Sequence, residues 1–340
     1  MKKIFLSSLI ISSLFAFDLG IGSLISVVKS GASALGMDGE TSTINVDREC
    51  NQAFESYDLN TEALLKTTSM YGISKSDNIL DFLNTNKSSG KDITSDDFKE
   101  LSKIMAKNFL WIPLEVEKIY GEKQYKHRIE SGDVILKTTR NKKYKKMYAK
   151  IDKYLRKYNS YLEKNDLKYP YDIKIYILST QKKAESLPYG YVFISEDYIE
   201  NGMYETILSH ELAHVSKRHA TKEIQYQIVM SYDNITDIMK LIKEMQDENV
   251  ATKVATGFMT KDIIKASYEL YPQEQEIEAD ACGLKTINAF IPDRKEDHVK
   301  NFIANVNNSK YDDKEKEGGF QDHPSKQVRI SNIKNVAQLF

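Results

Sequence analysis

The chain has 340 residues, and its 48 Lys and Arg nearly balance 49 Asp and Glu; no overall field favours nucleic acid or an anionic surface. A content of 41% hydrophobic and 29% charged residues excludes disorder and fibrous repeats and allows one sizeable core or two modest domains. Its two cysteines, Cys50 and Cys282, are too few for a disulfide framework and have no metal-ligand spacing, with a single bridge between them as the open alternative.

The N-terminus, MKKIFLSSLIISSLFAFDLGIGSL, has two lysines, an apolar run from Ile4 to Phe17, and small or polar residues after Asp18. That order of charged, apolar and cleavable regions is the pattern of a secretory signal peptide. The run is shorter than the about 20 residues a membrane helix needs. Cleavage after Ala16 or Ala34 is one outcome. The other is an uncleaved anchor reaching Val28, which would hold Asp18 near the membrane at a cost of about 2.5–3.5 kcal/mol if central. Residues 1–34 are thus read as a signal peptide or an N-terminal anchor. On either outcome the rest is expected to be exported, free in the periplasm or anchored facing it.

Segments 38–45 and 84–94 are rich in Ser, Thr, Gly and Asn and read as linkers or loops. NTEALLKTTSMYG and SDDFKELSKIMAKNFLWI carry helical patterns, the second capped by Ser95 with Phe98, Leu101, Ile104, Met105 and Leu110 on one face. Residues 38–128 are therefore read as a small helical pre-domain, with Trp111 as a core anchor between it and the C-terminal domain. The basic run from Lys137 to Tyr158 has Tyr144, Tyr148, Ile151, Leu155, Tyr158 and Leu162 at helical spacing. This predicts an amphipathic helix with a solvated lysine face rather than a nucleic-acid patch. Ile173–Leu178 and Tyr191–Ile194 are β-branched and aromatic runs on either side of Pro188 and Gly190, which predicts an antiparallel pair. Helical periodicity then persists almost to the C-terminus. Residues 140–340 are expected to form one α+β domain, mainly helical with a small antiparallel sheet, rather than a doubly wound one.

TILSHELAHVSKRH, Thr206 to His219, holds the pattern HExxH. Four residues advance a helix by about 400°, so His210 and His214 leave one face a turn apart, as two ligands of one tetrahedral ion must. Glu211, offset by about 100°, is placed to act as general base on an attacking water. Catalytic zinc takes three protein ligands, commonly two His and one Glu. The best third candidate is Glu276 in YPQEQEIEADACG, with Asp280 four residues on and on the same face, able to accept the other ring proton of a ligand histidine. Pro272 suits the first turn of this helix. Glu274 and Glu278 are expected in solvent, and the small Ala279, Ala281 and Gly283 let the helix approach the HExxH helix.

HELAHVSKRH, EQEIEADACG and DHPSKQVRI, in that order, resemble the motifs of the zinc metallopeptidase family of HtpX, BepA and the CAAX prenyl endopeptidases. The resemblance covers about Tyr144 to Leu339. It implies one zinc ion per chain on His210, His214 and Glu276, Glu211 as general base and acid, and Asp280 behind a ligand. His323 would stabilise the oxyanion or occupy the open metal position in a latent state. Arg329 would pin its segment to the core or contact substrate. His219 falls off the ligand face and reads as structural; His127 and His298 are unassigned. Tyr191, Val192 and Phe193, in YVFIS, are expected as the edge strand that holds substrate backbone. KAESLPYGYVFIS lacks the family's Asn and has Tyr189 in place of the first Gly of its turn, so the approach to that edge is expected to differ.

The function this implies is zinc-dependent endopeptidase action on unfolded or misassembled envelope proteins, with polypeptides as partners and no nucleic acid. The alternative is a latent assembly factor with a closed zinc site, its segment from Lys222 to Tyr271 serving as lid or docking surface. A structural zinc domain fits less well, because such sites are closed and usually cysteine-rich.

Overall fold

The computed structural model describes residues 50, 110, 112–167, 169–181, 183–231, 237, 249–250, 253, 257, 273–308 and 326–340. Trp111, Pro272, His323, residues 1–34 and nearly all of the pre-domain before Leu110 lie outside them. Helix α1 (Leu114–Glu130) is followed by strand β1 (Val134–Ile135), helix α2 (Lys142–Lys164), strands β2 (Lys174–Leu178) and β3 (Ala184–Leu187), a 3-10 turn at Pro188–Gly190, and strand β4 (Tyr191–Ser195). Helices α3 (Glu196–Glu200), α4 (Tyr204–Ser216), α5 (His219–Met230), α6 (Gln273–Phe290), α7 (Lys295–Asn308) and α8 (Lys326–Ala337) complete the described chain. It is an α+β protein, mainly helical, with one small sheet.

Helix α2 forms where the basic run predicts it. Asn141 caps it by accepting the Lys143 backbone N–H at 2.9 Å, and Met147, Tyr148, Ile151, Tyr154, Tyr158 and Leu162 are its buried face. The lysines between them stay at the surface, as a helix with one apolar stripe requires. That stripe packs on Ile175, Ile177, Val192 and Ile194 of the sheet and continues into α4, α6, α7 and α8 as one core. The opposite sheet face is aromatic: Tyr125 of α1 lies 5.0 Å from Tyr176 and 4.8 Å from Tyr191, ring centre to ring centre. Helix α1, placed in the pre-domain by the sequence pattern, thus covers the sheet of the C-terminal domain.

The sheet corrects two expectations. Its order is β1-β2-β4-β3, and β2 pairs with β4 in parallel, Lys174 opposite Tyr191 and Leu178 opposite Ser195. The antiparallel partner of β4 is β3, with Ala184 opposite Ile194 and Leu187 opposite Tyr191. Tyr191, Val192 and Phe193 therefore lie in an interior strand, hydrogen-bonded on both sides and buried throughout, and do not form a substrate edge. The sheet's edges are β1 and β3, and the edge beside β4 belongs to β3. Its sequence AESL is short and has no β-branched residue, so composition gives no strand signal there. The Pro188–Gly190 turn joins β3 to β4, not β2 to β4.

Cys50 and Cys282 are joined by a disulfide, the alternative that the cysteine count left open. The bridge spans 232 positions and lands on α6, where Cys282 packs with Ala279 and with Ala213 of α4.

Candidate metal centre

Helices α4 and α6 carry the site. From Thr206 to Ser216 every residue of α4 is buried, so the HExxH segment is a core helix whose polar side chains are desolvated with it. Small residues bring α6 against it. A Cβ on Gly283 would sit 3.0 Å from Ser209 O and 3.1 Å from both Cα and N of His210, and the Ser209 hydroxyl donates to Gly283 O at 2.7 Å. The backbone of a ligand residue is therefore in direct register with α6.

Across this contact His210, His214 and Glu276 converge. The two Nε2 atoms are 3.0 Å apart; Glu276 lies 3.6 Å from His210 Nε2 through Oε2 and 3.6 Å from His214 Nε2 through Oε1. Ligand atoms held tetrahedrally around one zinc at about 2.0–2.2 Å stand about 3.3–3.6 Å apart. The two carboxylate distances fall within that range and the imidazole pair stands somewhat closer, so two imidazole nitrogens and one carboxylate on a buried patch fit that ion once the rings part slightly.

Behind the three lies a charged lattice. Asp280, fully buried, places Oδ1 3.0 Å from His210 Nδ1. Arg329 of α8 donates to both Asp280 oxygens, Nε to Oδ2 at 2.7 Å and Nη2 to Oδ1 at 2.8 Å, and its Nη1 reaches Glu276 Oε2 at 2.8 Å. One guanidinium thus holds a candidate ligand and the partner of another in a two-pronged geometry that lysine cannot reproduce. Burial alone would raise the Asp280 carboxyl, but Arg329 and the hydrogen bond with His210 hold it below its ordinary range. Burial likewise works to lower His210, and the neighbouring Asp280 and Glu276 outweigh it, so its pKa is raised. His214 is lowered well below its ordinary value by burial and by the His210 and His219 rings.

Glu211 is 6% exposed, and its Oε2 has no hydrogen-bond partner among the described residues. Burial pushes its pKa up to about 7, with Glu276 adding to the shift, the His210 charge opposing it and a hydrogen bond from Ser186 of β3 also opposing it. A carboxyl poised near neutrality beside three converging ligands has the properties a general base and acid needs.

Two residues that helical periodicity sets aside lie in this lattice. His219 is fully buried, with Nδ1 2.7 Å from His214 Nδ1 and Nε2 3.0 Å from Glu278 Oε2. Glu278 is not solvated: its Oε1 is 2.8 Å from Lys217 Nζ. Burial would raise its carboxyl, but His219 and Lys217 hold it below the ordinary range. The chain bend that brings them together, Arg218 with φ 51°, is invisible to a straight-helix projection. The charge complement of Lys217 and Glu278 is the one signal the sequence offers. His127 is exposed on α1, and His298 is buried in α7 with Nδ1 2.9 Å from Asn288 Oδ1; neither joins the site.

Tyr189 has φ 65°, the left-handed region where glycine is favoured. Its N–H donates to Glu117 Oε1 at 3.0 Å, which holds the turn despite the side chain.

A helix-borne HExxH pair completed by a glutamate from a second helix defines a metallopeptidase. The model for peptidase family M48 matches residues 165–337, half of the chain, and the chain belongs to that family. No curated protein matches it.

Proposed function

We propose that this chain is a zinc-dependent endopeptidase, binding one ion, that cuts unfolded or misassembled polypeptides of the cell envelope. The observation that carries it is the convergence of His210, His214 and Glu276 with Glu211 beside them. A bound zinc would polarise the scissile carbonyl and make the attacking water acidic enough to lose a proton near pH 7. Glu211 would take that proton as the water oxygen adds to the carbonyl carbon, then deliver it to the amide nitrogen as the C–N bond breaks. Burial holds its pKa above the ordinary carboxyl value in the metal-free protein, and a bound cation would favour the carboxylate that takes the proton. Arg329 and Asp280 hold the frame, and no step needs either to change protonation.

The substrate reading rests on β3. It is the last strand of the sheet, its outer side has no strand partner among the described residues, and Ser186 within it touches Glu211. An extended polypeptide adding to that edge by main-chain hydrogen bonds would pass over the catalytic carboxylate, which favours unfolded over folded substrates. Export is supported by the leader-like N-terminus and by the Cys50–Cys282 bridge, since disulfides persist in oxidising compartments.

The test compares wild type with Glu211→Gln on an unfolded test protein and on the same protein folded. The proposal expects cleavage of the unfolded form alone, loss with a chelator, restoration by zinc, and a fall of about 100-fold or more in the variant. Equal cleavage by both proteins would refute the peptidase reading. Zinc bound in both, with neither cleaving, would favour the latent assembly factor.

A further inference from the structure

Each imidazole that would ligate a metal through Nε2 must carry its proton on Nδ1, and the group facing Nδ1 decides whether it does. For His210 that group is Asp280, at 3.0 Å. For His214 it is another imidazole, His219, whose Nδ1 is 2.7 Å away. A ring can donate or accept there, so the pair does not set its own direction.

The far side of His219 does. Its Nε2 lies 3.0 Å from Glu278 Oε2, and the other oxygen of that carboxylate is held by the Lys217 ammonium at 2.8 Å. A carboxylate accepts only, so a neutral His219 donates from Nε2 and presents a bare Nδ1. His214 must then donate from Nδ1, which leaves its Nε2 lone pair facing His210 and Glu276. The reverse arrangement would put a proton on His214 Nε2, directed at the second bare nitrogen 3.0 Å away, and would close the site.

We propose that His219 and Glu278 are positioning residues that fix the metal-binding tautomer of His214 through a two-step hydrogen-bond chain, as Asp280 fixes His210 in one step. The inference rests on the reading that His210, His214 and Glu276 bind zinc. Helix α6 then supplies three carboxylates with distinct tasks: Glu276 as ligand, Asp280 behind one histidine, Glu278 behind the other. Glu278 lies about 200° around α6 from Glu276, so α6 alone could not aim both at one histidine. Lys217 and Arg218, between α4 and α5, turn the chain so that His219 comes behind His214, bridging that separation.

The test measures zinc affinity by competition with a chromophoric chelator and reads ring protons in zinc-loaded protein with 15N-labelled histidine. The wild type should show Nδ1–H on His214 and Nε2–H on His219, a pattern that needs no variant. Glu278→Gln, nearly isosteric, and His219→Ala should each weaken zinc binding by about 10- to 100-fold. The double variant should lose no more than the worse single one, because both act through one chain. In Glu278→Gln the His214 Nδ1–H signal should weaken or vanish while far-ultraviolet circular dichroism is unchanged. Zinc affinity within twofold of wild type in a folded Glu278→Gln protein, or the opposite proton pattern in the wild type, overturns the proposal. Failure of the wild type to bind zinc at all overturns it together with the metal reading, whereas normal wild-type binding with unaffected variants overturns the positioning roles alone.

Discussion

Replacing Glu211 by glutamine should stabilise the metal-free protein at alkaline pH. The side chain is 6% exposed, and its pKa in the fold is about 7 against an ordinary 4.5, because burial disfavours the carboxylate. Between those values the folded protein keeps a proton that the unfolded chain has lost, so stability falls as pH rises from about 4.5 to about 7 and stays reduced above that. A difference of about 2.5 units corresponds to about 3 kcal/mol. Glutamine keeps the shape of the neutral acid and cannot ionise. In the presence of a chelator, Glu211→Gln should melt about 5 °C above wild type at pH 8 and within about 1 °C of it at pH 5. Saturating zinc should shrink the gap, since a nearby cation favours the carboxylate. Equal melting differences at pH 5 and pH 8, or a wild type that is the more stable at pH 8, would show that Glu211 is not a desolvated carboxyl and remove the physical basis for its role as base.

Gly283→Ala should cost about 1–3 kcal/mol and weaken zinc binding, because the added methyl meets the backbone of Ser209 and His210 at 3.0–3.1 Å; thermal melts and chelator competition read both. Arg329→Met should cost about 3–5 kcal/mol in denaturant unfolding, since it leaves the fully buried Asp280 without its counter-charge, and Arg329→Lys should recover only part. Burial, aided by the Arg294 charge, lowers His298 to about 4, so the stability of its neutral form is lost as pH falls from about 6.5 to about 4. Over pH 7 to pH 4.5 that is about 2 kcal/mol, and His298→Gln should show a correspondingly shallower loss in urea unfolding across that range.

The candidate metal-binding triad is legible in the sequence because helical geometry is local: His210 and His214 share a face by spacing alone, and the small residues of α6 mark where a third ligand can approach. The amphipathic α2 is legible for the same reason. The sheet is less so. Which strand is the edge depends on partners distant in the chain, and β3, with its sequence AESL, offers neither alternation nor β-branching to show that it, and not Tyr191–Phe193, takes the edge. Glu278 reads as solvated because a projection of α6 alone aims it away from Glu276. What reaches it is a histidine from another helix, past a residue with positive φ, and such a turn has no counterpart in periodicity. Tyr189 carries a related lesson: the backbone there takes the conformation glycine prefers, and a hydrogen bond from outside the turn sustains it.

That hydrogen bond also bears on where the catalytic unit begins. The family match starts at residue 165, yet Glu117 of α1, 1% exposed, accepts from Tyr189 N at 3.0 Å and from the Tyr171 hydroxyl at 3.1 Å. Its other oxygen accepts Arg218 Nε at 2.7 Å, and Arg218 Nη2 donates to Ile112 O at 2.9 Å. Arg218 lies just past the end of the HExxH helix, and Tyr189 sits in the turn that ends the edge strand. One buried carboxylate therefore ties the HExxH helix to β3, the strand proposed to hold substrate. Gly121 allows it: a Cβ there would collide with the Pro188 carbonyl oxygen, so α1 seats against the turn only without a side chain at that position. Breaking a buried pair of this kind leaves an uncompensated charge and would loosen the spacing between the HExxH helix and β3. On the proposed reading the functional unit extends upstream of the family match to include α1, because the contacts that set the HExxH helix against β3 come from both sides of residue 165.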